Sequence, residues 1–167
     1  MDSYSVSRIL KTYNTGVFSK NTIAFDIKEG EYKPKKNKWV SLHLIPEFSF
    51  VRDFINQDLK KIDSSYSVGN FITLLVYEKG GFFAEHKDED RPTSSPIVLS
   101  AGYLLTKDYD GGEFIIEGAE LNVKVGELFL FGRDVYHEIK KVKKGTRYAL
   151  HFGVISNVKQ EHKKTLI

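Results

Sequence analysis

The chain has no cysteine among its 167 residues. That absence excludes a disulfide framework, thiolate zinc sites and cysteine nucleophiles together. Long apolar runs are missing too. The first residues, Met1 to Asn14, hold no stretch of signal-peptide length. Nothing further on approaches the length of a membrane span. A cytosolic or nuclear location, or a viral factory, is therefore the default expectation, with no membrane partner. There is no internal repeat and no low-complexity linker. An excess of one charge is lacking as well, since 25 Lys and Arg against 22 Asp and Glu leave a net +3. Lysines gather at 33–38, 140–144 and 159–164. The plain reading of these clusters is a solvated surface. The sharper reading is a footprint for an acidic partner or nucleic acid, and the spacing does not favour it.

What is present is one domain's length of chain, enough to bury a core without staples, and rich in Phe and Tyr at strand-like positions. The expected organisation is a single domain. Residues 1–69 form a support region, 70–155 a core, and 156–167 a charged tail. In the support region, Asn21 to Ile27 and Trp39 to Ile45 alternate apolar and polar residues as strands do. The polar stretch EGEYKPKKNK between them reads as a loop or wide hairpin. Phe50, Val51, Phe54, Ile55, Leu59 and Ile62 recur at three- and four-residue spacing, which predicts one amphipathic helix over about 49–62.

From Asn70 the pattern becomes short strands divided by turns. The expected strands are Phe71 to Tyr77, Phe82 to His86, Ile97 to Leu105, and Glu113 to Glu117 returning as a hairpin from a turn at Tyr109 to Gly112. Leu121 to Val125, Glu127 to Phe131, His137 to Val142 and Arg147 to Val154 follow. Such a series predicts a mainly β fold with a supporting N-terminal helix, a jelly roll or barrel and not a parallel α/β sheet.

Three side chains in this pattern carry metal-binding chemistry. His86 and Asp88 lie two apart, so in extended backbone they face the same side. Alone, a His-x-Asp pair is weak, because it also arises by chance beside an acidic surface cluster such as Glu85, Glu89 and Asp90. His137 follows an apolar strand and a turn, and it could complete a face of two imidazoles and one carboxylate. That set suits iron(II) and leaves coordination positions open. Arg147 stands at the head of the apolar run YALHFGV. A guanidinium buried there requires an anion to offset its desolvation, and a dicarboxylate would supply one.

The segments YEKGGFFAEHKD, GYLLTKDYDGGEFII and VGELFLFGRDVYHEIKKVKKGTRYAL, in that order, resemble the catalytic core of the iron(II)/2-oxoglutarate dioxygenases, specifically the prolyl 4-hydroxylase-like branch. The resemblance covers roughly the C-terminal half. It implies a double-stranded β-helix with His86, Asp88 and His137 as iron ligands. It implies Arg147 as the partner of the distal carboxylate of 2-oxoglutarate, with Tyr103 and Tyr77 lining the same pocket. Either tyrosine could instead be a core aromatic with a satisfied hydroxyl. The implied reaction hydroxylates a C–H bond with dioxygen while 2-oxoglutarate is decarboxylated to succinate. Ascorbate is the accessory reductant that the branch brings with it. The implied substrate is a prolyl or other side chain of a protein or peptide.

Two features depart from the branch pattern. Leu105 stands where the branch often has Asn, and the segment after Asp88, EDRPTSSP, is short where peptide hydroxylases build part of a substrate clamp. Two rival functions stay open at this point. One is an oxidative nucleic-acid demethylase, against which Gly153 stands where a second Arg is usual. The other is a non-catalytic cupin-type binding module. His43 is set aside as surface or core, His162 as part of the tail, and His151 as a packed core residue despite sharing a strand face with Arg147.

Overall fold

The computed structural model describes residues 1–14, 22–28, 31–88 and 97–157. A helix α1 (Ser3–Asn14) leads into strands β1 (Thr22–Lys28) and β2 (Glu31–Ser41). Helix α2 (Ser49–Ile62) follows two short 3-10 turns, and strands β3 (Tyr66–Tyr77), β4 (Phe83–His86), β5 (Ile97–Leu104) and β6 (Asp110–Gly111) come next. The chain closes with β7 (Phe114–Ile116), β8 (Ala119–Glu120), β9 (Leu128–Gly132), β10 (His137–Ile139), β11 (Val142–Lys144) and β12 (Arg147–Ser156).

The strands form a six-stranded sheet in the order β1-β2-β3-β12-β5-β9, facing a four-stranded sheet β4-β10-β7-β8. A two-stranded ribbon, β11-β6, flanks them. All ladder pairs are antiparallel. This is the expected mainly β jelly roll with a supporting helix.

Side-chain alternation divides the six-stranded sheet into two working faces. One face meets the helices. There Val6 and Ile9 of α1 and Val51, Ile55 and Leu59 of α2 pack with Ile72, Leu74 and Val76 of β3 and with Phe152 and Val154 of β12. The opposite face meets the second sheet, where Tyr77, Leu104, Phe114, Phe131, Ile139 and Val142 form a separate cluster. Helix α2 forms where the spacing placed it, because its apolar stripe has this first face to cover.

Several expectations are corrected. Helix α1 was not anticipated, since its apolar stripe is one short row; it is held by the Asp2 carboxylate accepting from the Ser5 N–H at 2.7 Å and by Arg8 lying 3.8 Å over the Phe50 ring. Residues 31–38, expected as loop, extend β2, whose partners β1 and β3 supply ladder bonds to a polar sequence. Residues 42–45, expected as strand, are mostly 3-10 turn, and His43 sits there exposed with its Nδ1 accepting from the Ile72 N–H at 3.3 Å. Residues 113–117 do not return along β5. They cross to the second sheet, where β7 pairs with β10 and β8. Gly111 and Gly112, both at positive φ, turn the chain out of line. Residues 121–125 are no strand, only a single bridge from Val125 to Leu104. The 137–142 strand breaks into β10 and β11, which serve different sheets. The segment EDRPTSSP lies wholly outside the described residues, and so does the tail beyond Asn157 with His162.

Candidate metal centre and its cavity

A cavity of about 420 Å³ opens between the two sheets. Its walls come from the inward positions of the strands: Thr73, Leu75 and Tyr77 on β3, Arg147, Ala149 and His151 on β12, Phe129 and Phe131 on β9. The alternation that sends even-numbered residues of β12 to the helices sends these odd ones inward.

His86 ends β4 and His137 begins β10, and the two are direct cross-strand partners. Their rings therefore stand side by side, with centroids 4.2 Å apart. Each Nδ1–H donates to a backbone carbonyl two residues back, His86 to Ala84 at 2.8 Å and His137 to Val135 at 3.0 Å. That bond selects the tautomer whose Nε2 carries the lone pair. Both Nε2 atoms point to Asp88 Oδ1, at 3.7 Å from His86 and 3.9 Å from His137.

Donor atoms sharing one ion at bond lengths of roughly 2.0–2.2 Å lie within about 4.4 Å of each other; both Asp88 spacings meet this, and all three donor atoms lie within 4.8 Å of one another. A donor set of two imidazoles and one carboxylate without sulfur matches iron(II). The group is half-buried at His86 and buried at Asp88 and His137. Phe83, 4.1 Å from the His86 ring, and Phe131, 4.7 Å from the His137 ring, pack the ligands from behind.

Asp88 is held on every side. Its N–H donates to the Arg133 carbonyl at 3.0 Å, and Arg133 Nη2 donates to its carbonyl at 2.8 Å. Its Oδ2 accepts from Ser100 Oγ at 2.5 Å and lies 3.4 Å from His151 Nε2. Burial alone would raise this carboxyl. The hydrogen bond and charge of His151, the Ser100 hydroxyl and the nearby His137 outweigh burial and hold it well below the usual carboxylate range.

Arg147 is 4% exposed and lines the same cavity, its guanidinium 5.7 Å from the Tyr77 ring. Its Nε has no hydrogen-bond partner among the described residues. A buried guanidinium with an orphaned donor is unfinished, and a carboxylate is the group whose geometry completes it. The residues present thus fit both a divalent metal and a dicarboxylate.

The structure brings His86, Asp88, His137, Arg147 and Tyr77 to one cavity. It does not bring Tyr103. That residue points from β5 towards the helices, fully buried, and donates to Asp58 Oδ2 of α2 at 2.9 Å. Burial first, and then the Asp58 carboxylate, push its phenol well above the usual range. The physical reason is parity: Ser100 faces the cavity, so Tyr103, three residues on, faces away. His151, read from sequence as core, lines the cavity as its shared face with Arg147 requires. Ser100 and Arg133 carried no motif and were missed. The same parity on β5 was the signal available for Ser100, whereas nothing local pointed to Arg133.

Gly153 also borders the cavity, and a Cβ there would lie 2.7 Å from Ile97 Cδ1. The position where a demethylase carries its second Arg is thus crowded by the Ile97 side chain.

A jelly roll enclosing two imidazoles, a carboxylate and a buried guanidinium is the architecture of the iron(II)/2-oxoglutarate oxygenases, and the sequence resemblance to their prolyl-hydroxylase-like branch is borne out by relatives and fold alike. The chain belongs to the poxvirus C4/C10 protein family, whose model matches residues 8–165. It is 32% identical over 103 residues to the fowlpox virus (strain NVSL) protein FPV006/FPV255, covering 60% of this chain and 25% of that one. It is 29% identical over 103 residues to a PKHD-type hydroxylase of Nitrobacter winogradskyi, covering 54% and 46%. The chain therefore spans less than half the length of these curated relatives. Among solved structures, the viral collagen prolyl hydroxylase of Paramecium Bursaria Chlorella virus-1 superposes with a TM-score of 0.65 at 14% identity, over 95% of this chain and 92% of that one. A Trichoplax adhaerens prolyl hydroxylase, solved with a hypoxia inducible factor peptide, gives a TM-score of 0.65 at 16% identity, over 92% and 78%. At such identities the structural likeness speaks to the fold alone.

Proposed function

We propose that this protein is an iron(II)- and 2-oxoglutarate-dependent dioxygenase that hydroxylates a C–H bond in a prolyl or other side chain of a protein or peptide. The observation that carries the reading is Arg147, a buried cation whose Nε has no partner among the described residues, in the cavity that holds the His86, Asp88 and His137 donors. The names of the bacterial relatives and the peptide complex of the Trichoplax enzyme support the branch and the substrate class.

In this reading His86 and His137 hold iron through Nε2 and Asp88 through Oδ1. Arg147 pairs with the distal carboxylate of 2-oxoglutarate, and Tyr77 walls that end of the cavity. Iron(II), when bound, supplies the dioxygen chemistry, in which one oxygen atom goes to succinate and the other to the hydroxylated product. The chain's own part is orientation and dryness. Phe114, Phe129, Phe131 and Ile139 line the cavity, and water kept out by such walls leaves charged contacts stronger. The backbone carbonyls of Ala84 and Val135 keep the imidazoles in the ligating tautomer. Ascorbate enters only as the reductant that keeps the metal ferrous in an assay.

The test is anaerobic titration of the protein with iron(II) and 2-oxoglutarate, followed by succinate release in air with ascorbate. The expected result is a weak visible charge-transfer band that disappears in His137→Ala and in Arg147→Ala. Proline-rich peptides are expected to stimulate succinate release. A wild-type protein with neither band nor succinate overturns the reading. A full band with no stimulation across a broad peptide panel overturns the substrate class alone.

A further inference from the structure

Asp88 sits between two sheets that make different demands on it. Its Oδ1 faces the Nε2 atoms of His86 and His137, which belong to the four-stranded sheet. Its Oδ2 faces Ser100 of β5 and His151 of β12, which belong to the six-stranded sheet. A free carboxylate has two equivalent oxygens and a broad, roughly two-fold terminal torsion. Nothing intrinsic to Asp88 makes it bind through one oxygen rather than chelate through both. Here the equivalence is broken: Ser100 Oγ and His151 Nε2 converge on Oδ2, whereas the side-chain atoms that approach Oδ1 among the described residues are the Nε2 atoms of His86 and His137.

We propose that Ser100 and His151 are positioning residues that hold Asp88 Oδ2 out of the coordination sphere, so that Asp88 ligates the metal through Oδ1 alone. The role rests on the metal-site reading above. Ser100 donates its hydroxyl, buried at 3% exposure. His151 sets its Nε2 3.4 Å from Oδ2, its ring steadied by Phe71 at 5.9 Å between centroids. Because the backbone of Asp88 is already tied to Arg133 by two hydrogen bonds, these donors leave the carboxylate no rotation of its own. A one-oxygen ligand keeps a further coordination position open for the co-substrate and dioxygen. The arrangement also places two functions on one strand face. His151 stands four residues after Arg147 on β12, roughly 13 Å along an extended strand, so a single rigid element sets the orientation of the acid ligand and the far anchor of the co-substrate.

Outer partners of metal ligands are worth about 10–100-fold in metal affinity. Ser100→Ala and His151→Met are therefore expected to weaken Mn(II) binding, measured by calorimetry on the full chain, by about that factor each, and less than multiplicatively together because both act on one oxygen. Ser100→Thr and His151→Gln keep a donor and are expected to recover most of the loss. Co(II) substitution supplies an independent readout: the visible spectrum of His151→Met is expected to shift as Asp88 becomes free to chelate, and that of His151→Gln to resemble wild type. Where Ser100→Ala fails to fold, the His151→Gln and His151→Met pair, similar in shape and different in donor, carries the comparison. Wild type that binds neither Mn(II) nor Co(II) overturns the metal-site reading and this role with it. Wild type that binds, with donor-less variants unchanged in affinity and spectrum, overturns the positioning role alone. So does a loss of affinity that the donor-retaining variants fail to restore.

Discussion

Arg147 shows how a single side chain is shaped by what it awaits. Its charge is buried, its Nε has no hydrogen-bond partner among the described residues, and the Tyr77 ring face lies 5.7 Å away. Replacing a poorly compensated buried charge with an apolar residue of similar length is neutral or stabilising, by as much as about 1–4 kcal/mol. Arg147→Met is therefore expected to leave the melting temperature of the metal-free protein unchanged or raised, while abolishing the response to 2-oxoglutarate. Thermal unfolding with and without the co-substrate checks both halves, and a strongly destabilised metal-free variant would contradict the account. At this scale much of the candidate site was readable in the chain. His86 and Asp88 announced themselves by their two-residue spacing, His137 by its place after an apolar strand, and Arg147 by the apolar run it heads. Tyr103 was misassigned because a motif match says which residues recur, not which way each faces. Its hydroxyl belongs to Asp58 and the helix layer.

At the scale of elements, the central strands do two jobs at once. Residues of β3, β5 and β12 alternate between the helix layer and the cavity, so both faces are committed and neither tolerates a change in bulk. Gly102 is the tightest case. It is the cross-strand partner of Phe129, and a Cβ there would lie 2.3 Å from the Leu150 carbonyl oxygen and 2.6 Å from Phe129 Cζ. The aromatic ring fills the space the glycine leaves open. Overpacking of this kind typically costs about 1–3 kcal/mol. Gly102→Ala is expected to lose about that much in urea unfolding and to weaken 2-oxoglutarate binding, since Phe129 can only yield towards the cavity it lines. Elements with strong local periodicity, α2 above all, were readable in advance. Those that depend on a partner were not. The polar residues 31–38 are strand because β1 and β3 flank them, and residues 113–117 pair with β10 rather than β5 because two glycines at positive φ redirect the chain.

On the scale of the whole molecule, the candidate ligands span the junction of two sheets. His86 and His137 come from one, while Arg147 and the Ser100 and His151 side chains beside Asp88 Oδ2 come from the other. A metal and a dicarboxylate bound there would tie the sheets together and bind the folded state only. At a hundredfold excess over the dissociation constant such a ligand stabilises by about 2.7 kcal/mol. For a chain of this size that corresponds to roughly 5–10 °C in melting temperature. The expected outcome is an upward shift when Mn(II) and 2-oxoglutarate are added together, reversed by a chelator, and absent in His137→Ala.

What the sequence by itself determined is the chemistry on offer: two imidazoles, a carboxylate and a guanidinium, with no thiol to compete, on strands whose alternation settles which residues share a face. What the tertiary structure alone decided is which face becomes the cavity, and so the outward turn of Tyr103, the inward turn of His151 and the grip of Ser100 on Asp88. The reason is physical. Period-two alternation is a property of local backbone and can be read along the chain, whereas the choice of face depends on which sheet and which helix each strand is buried against, and those partners lie far away in sequence.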